Sequence, residues 1–109
     1  MGRAYHFHRE YEDCSVTVGV RLGRHPEVEL LVDGKEVGLE RVHDRHVEQV
    51  VLSTTLPTYP PRPAEVRVDL AGGKDGVPVC VLVADGTELP VPEREIPRHA
   101  RPTEASWYG

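Results

Sequence analysis

Along residues 14–22, Cys14, Val16, Val18, Val20 and Leu22 alternate with Ser15, Thr17, Gly19 and Arg21. A period of two sends every second side chain to one face, so the stretch predicts a strand with one buried side. After a turn at Gly23 and Pro26 comes VELLVDGKEV, with Asp33-Gly34 between two apolar runs. That dipeptide suits a type I′ hairpin, which needs positive φ at both central residues. EVRVDL alternates again and predicts burial of Val66, Val68 and Leu70. VPVCVLVAD is almost continuously apolar, the pattern of a central strand covered on both faces. Pro78 keeps its first residues at an edge or ahead of the ladder. Asp85-Gly86 starts a further turn, and TELPVP adds a short edge strand.

Residues 39–51 fit two patterns. Leu39, Val42, His43, His46, Val47, Val50 and Val51 follow helical spacing, with Glu40, Arg41, Asp44, Arg45, Glu48 and Gln49 on the other face. The same residues also read as a hairpin turning at HDRH. Valine forms strands better than helices, and no Gly or Pro stops a helix before Pro57. The balance favours a strand from about Glu48 to Leu56, with residues 40–47 as a turn or one to two helical turns.

LPTYPPRP, residues 56–63, is a stiff connector, because each proline locks its own φ and restricts the residue before it. From Pro90 onward the chain becomes PVPEREIPRHARPTEASWYG, the composition of an extended or partly disordered tail. The expected architecture is mainly β: a small antiparallel β-sandwich or open barrel of about six to seven short strands, with room for one short helix near residues 39–47. A single β-rich domain over residues 1–89 precedes the tail at 90–109. Composition agrees. In 109 residues there are 17 valines but only one Phe, one Trp and four Tyr, so the core should be aliphatic and β-rich.

The net charge of −5 and the lack of a basic stripe argue against nucleic acid and anionic membrane as partners. Eleven of the 13 basic residues are Arg, read here as the codon bias of a GC-rich, bacterial genome. No apolar run approaches the ~20 residues of a membrane helix, and MGRAYHFHREYED lacks the apolar region of a signal peptide. A cytoplasmic protein with reduced Cys14 and Cys80 is the expectation. Each cysteine lies in an apolar pattern, as a buried thiol does.

Histidines carry the only metal candidates. His43 and His46 are three apart, close on a helix or across a turn, and His6 and His8 would share one face of a strand. Neutral imidazoles bind divalent transition metals such as zinc, but zinc needs at least three protein ligands, so the two pairs would have to converge. Otherwise both pairs are solvated surface, as are His25 in its turn and His99 in the tail. The acidic pairs Glu27/Glu29 and Glu93/Glu95 read as solvated faces or tail charge. No P-loop, dinucleotide fingerprint, nucleophile elbow or HExxH motif is present.

Two segments suit protein contacts. Tyr59, Pro60, Pro61 and Arg62 form a proline–arginine stretch able to dock in an aromatic groove. Trp107 and Tyr108 tip the tail with the residue types that dominate interface hot spots. The sequence therefore favours a non-enzymatic protein-binding module: a small acidic adaptor, inhibitor or assembly subunit. It would engage a protein partner or form a homodimer through its tail, proline loop or sheet edge, and no cofactor is expected. The alternatives are a histidine-rich metal protein, or a small β-barrel enzyme or ligand carrier.

Overall fold

In the computed structural model, residues 4–43, 47–70 and 76–94 are described. Eight strands follow one another: β1 (Ala4–Tyr11), β2 (Cys14–Arg21), β3 (Glu27–Val32), β4 (Lys35–Arg41), β5 (Gln49–Leu56), β6 (Arg62–Asp69), β7 (Val79–Ala84) and β8 (Thr87–Val91). They form two antiparallel four-stranded sheets in the simple orders β1-β2-β3-β4 and β5-β6-β7-β8. The protein is thus all-β, a small sandwich with one strand more than the upper end of the expected range.

The alternation in β2 is realised residue by residue. Cys14, Val16, Val18 and Val20 are buried, and Ser15, Thr17 and Gly19 are only partly so. The Asp33-Gly34 turn has φ of 53° and 83°, and Asp85-Gly86 has 56° and 74°, the doubly positive pair a type I′ hairpin requires. Asp33 does more than turn the chain. Its Oδ1 accepts from the Ser15 N–H at 2.9 Å while its own N–H donates to the Ser15 carbonyl at 3.0 Å, which docks the hairpin on β2.

One core joins the inward faces of both sheets: Val16, Val18, Val28 and Leu30 on one side, Leu56, Val66, Val68 and Leu82 on the other, all fully buried. Each such side chain is worth roughly 1.5–3 kcal/mol of burial free energy. Among the described residues Phe7 is the one buried aromatic, and Tyr5 packs partly buried against the same core.

Three expectations are corrected. Residues 39–41 are strand, not helix, and among the described residues there is no helix. Neither pattern is realised: β4 pairs with β3, Leu39 facing Glu29 and Arg41 facing Glu27, and no ladder joins it to β5, so the expected hairpin between these two strands does not form. Val42 is buried and donates its N–H to the Pro26 carbonyl at 2.7 Å, leaving no helical turn at 40–43. Second, β7 is an interior strand of its sheet but is covered on one face only. Val79 is 43% exposed, and Val81 and Val83 are half-buried. Third, the boundary expected at residue 89 falls inside β8. The chain stays in the fold beyond it, since Glu93 bridges Phe7. Residues 95–109 of the expected tail lie outside the described residues.

Candidate functional site

The two seams between the sheets differ. At the β1/β8 seam the backbone is joined: His8 N–H donates to the Pro92 carbonyl at 3.0 Å and Arg94 N–H to the His6 carbonyl at 2.6 Å. Arg9 adds a side-chain clamp, Nη1 to the Pro90 carbonyl at 2.8 Å. At the other seam, β4 is hydrogen-bonded only to β3 and β5 only to β6. The two strands approach one another without a ladder, the inward Gly38 of β4 lying over Leu52 of β5. An open groove there is lined by Glu40, Arg41, Val42, His43, Val47, Gln49, Val50 and Val51. Four large apolar side chains are solvent-facing on these strands and the segment joining them: Val37 (44%), Leu39 (49%), Val47 (38%) and Val51 (44%).

The local reason for the exposure of Val37 and Leu39 lies in β4. Gly38 pairs with Leu30 and Glu36 with Leu31, so Val37 is the extra residue of a β-bulge. Gly38 turns inward, where an added Cβ would lie 3.6 Å from Leu30 and 3.7 Å from Leu52. With glycine at its inward position, β4 contributes little to the core, and its apolar residues are left on the outside.

His6 and His8 lie apart from His43. His6 and His8 stand on the outer face of β1, and His8 is engaged: Nδ1 lies 3.0 Å from Thr17 Oγ1 and Nε2 2.7 Å from Glu10 Oε2. His43 lies past the far edge strand of the same sheet, which from β1 is three strand spacings, about 14 Å, away. Its aromatic neighbour is His25, at 5.7 Å between ring centroids. His46 lies outside the described residues. Among the described residues no group of three His, Cys, Asp or Glu side chains is arranged to hold a metal ion.

The outer face of the first sheet carries an acidic groove of about 410 Å³, lined in part by His6, Arg21, Glu27, Glu29 and Glu36. Glu29 lies over Gly19, its Oε1 3.7 Å from where a Cβ would stand. A hydrogen bond with the Glu36 carboxyl pushes Glu29 up from 4.5 to about 7; desolvation and the Glu36 and Glu27 charges add to this, and Arg21 opposes it. Glu29 therefore keeps its proton to higher pH than an ordinary carboxyl does. Reading Glu27 and Glu29 as a solvated pair missed this partner. Hairpin arithmetic from Asp33-Gly34 would have found it, because it sets Leu31 opposite Glu36 and makes Glu29 a diagonal neighbour on the same face.

The proline connector divides into two roles. Tyr59 is fully exposed at 101%, and Pro60 and Pro61 are exposed beside it. Thr58 is buried and donates Oγ1–H to the Pro60 carbonyl at 2.8 Å, which anchors the loop from beneath. Arg62 turns back into the fold. It donates Nη1–H to the Tyr11 hydroxyl at 2.8 Å, pairs with Glu12, and lies 3.6 Å from Asp85, so it ties the β1–β2 and β7–β8 turns to the start of β6. Trp107 and Tyr108 lie outside the described residues.

Both cysteines are free and buried. Burial pushes Cys80 up to about 12. Cys14 is raised by burial first and by Asp33 and Glu12 after it, and its Sγ donates to the Tyr11 carbonyl at 3.1 Å. Neither is poised as a nucleophile, which requires a lowered pKa and access. Among the described residues no helix is long and apolar enough to cross a membrane. No protein-family model, curated protein or solved structure matches this chain.

Proposed function

We propose that this chain is a non-enzymatic protein-binding module, cytoplasmic and without a cofactor, that meets its partner along the open β4–β5 seam. The contrast between the seams carries this reading. One is closed by backbone bonds from residues 92–94 and by Arg9, while the other leaves two edge strands unpaired, with Val37, Leu39, Val47 and Val51 in solvent. An edge strand is a template for pairing with another chain, and exposed apolar side chains beside it supply the burial that makes such pairing favourable. Tyr59, on its proline-stiffened loop, is a second contact point of suitable chemistry, because an exposed aromatic offers a large apolar face and a hydroxyl to a partner. Trp107 and Tyr108 remain contact candidates that truncation after Pro97 would test.

The seam is tested by placing a photo-crosslinking residue at Leu39, at Val51 or, as a control on the outer face of β6, at Glu65, in the full chain expressed in cells. Protein adducts at positions 39 and 51 but not at 65 support the reading. Adducts missing from both seam positions, or equally abundant at Glu65, overturn it.

A further inference from the structure

We infer that the occupant of the β4 edge is a second copy of this chain, paired antiparallel about a twofold axis at Leu39. The inference rests on the reading of the open seam as a contact surface, and it adds the identity and register of the partner. β4 carries its charges at its ends, Lys35 and Glu36 before Val37 and Glu40 and Arg41 after Leu39, all exposed. A twofold axis perpendicular to a sheet keeps each residue on the same face in both copies, so residues brought opposite one another must already share a face.

Leu39 and Arg41 share the outer face, across from Glu29 and Glu27. In a regular strand Glu36, three residues from Leu39, would point the other way. The bulge cancels that offset: with Val37 as the extra residue, Glu36 pairs with Leu31 and lines the outer groove together with Glu27 and Glu29. Centring the twofold on Leu39 therefore sets Leu39 against its own copy and Glu36 against the partner's Arg41, twice by symmetry. Opposite charges across a strand pair favour that register. A twofold centred on Gly38 sets Glu36 against Leu39 instead and gives Arg41 no counter-charge.

Arg41 has the capacity for this contact. Its Nε and Nη2 already donate to Glu27 Oε2 at 3.1 and 2.9 Å, and a guanidinium offers five N–H donors, enough for a second carboxylate. The pairing fuses two four-stranded sheets into one of eight strands. A single seven-residue edge is about 24 Å long, which gives a small interface and a weak, concentration-dependent dimer.

Sedimentation of the full chain from about 10 μM to about 1 mM tests it. The expected result is a monomer–dimer equilibrium that Glu36→Arg or Arg41→Glu each weakens by about tenfold, since each turns two attractive pairs into repulsive ones. An equimolar mixture of the two single variants then recovers association, because Arg at 36 meets Glu at 41 in the mixed pair. Recovery also shows that both variants fold. A chain that is monomeric throughout, single variants that associate as well as the parent, or a mixture no better than its components overturns the inference. Adducts at Leu39 with a different protein, from a chain that stays monomeric, overturn self-pairing and leave the open-seam reading standing.

Discussion

Arg9 reaches across the closed seam and donates to the carbonyl of Pro90 at 2.8 Å. The bond joins β1 to β8 beside the two backbone bonds from residues 92 and 94, and it is the side-chain part of what distinguishes this seam from the open one. Replacing Arg9 with Ala removes the clamp and the packing of its stem. A side-chain bond of this kind is worth about 1 kcal/mol net, so a loss of a few degrees in melting temperature is expected. Hydrogen exchange gives the sharper check. The amides of His8 and Arg94 should lose protection first, while those of the β2–β3 ladder keep it. Uniform loss across both sheets would mean that the clamp acts on global stability alone.

Tyr59 and Arg62 lie three residues apart and should behave oppositely. Arg62 is held by Tyr11, Glu12 and Asp85, so Arg62→Ala disconnects two turns from β6 and lowers the melting temperature. Tyr59 is fully exposed, so Tyr59→Ala should leave thermal stability unchanged and weaken only the contact it makes. Paired melting curves and binding assays check both halves. A stability-neutral Arg62→Ala would contradict the bracing role.

Strand positions were legible wherever short-range pattern and tertiary pairing agree. In β2 the alternation of Cys14, Val16, Val18 and Val20 maps directly onto burial, and the two Asp-Gly turns adopt the φ values that dipeptide permits. Residues 39–43 were ambiguous because their apolar spacing fits both periods, and only the ladder to β3 decides between them. The role of Arg62 was hidden for a different reason: two of its partners lie 50 and 51 residues away in sequence, and nothing local announces that three chain segments meet there. The open seam follows from an inward glycine and a one-residue bulge in β4, and a bulge leaves little trace in an alternation only seven residues long. The closed seam hid behind composition, since residues 92–94 are rich in the proline and charge of a tail yet bond to β1 through their backbone.

The two thiols should open in a fixed order. Cys14 is the first residue of β2, beside a two-residue turn, so fraying of one hairpin exposes it. Cys80 sits in an interior strand and is pushed up to about 12 by burial, so its thiolate forms only when the second sheet opens. With a thiol reagent at pH 8, Cys14 should react first, and Cys80 at a rate that follows global unfolding as denaturant is added. A Cys80 that reacts as fast as Cys14 without denaturant would show that the second sheet is the looser of the two.

Glu29 gives the pH prediction. Its carboxyl is raised from 4.5 to about 7, chiefly by the hydrogen bond with Glu36, so the folded chain holds that proton more tightly than the unfolded chain does. A raised pKa in the folded state means the stabilising contribution is complete below about 4.5 and is lost as pH rises through about 7. Above that, Glu29 and Glu36 are like charges in one groove, with Glu27 adding to the repulsion and Arg21 relieving part of it. His6 lines the same groove from β1. Glu29→Gln keeps the shape and a hydrogen-bonding amide but removes the titration. The variant should therefore melt higher than the parent at pH 8, and the difference should shrink as pH falls to about 5. Thermal melts of both chains from pH 5 to pH 8 measure that difference directly. A gap that stays constant with pH, or that widens toward acid, would mean that Glu29 does not hold its proton above the ordinary carboxylate range.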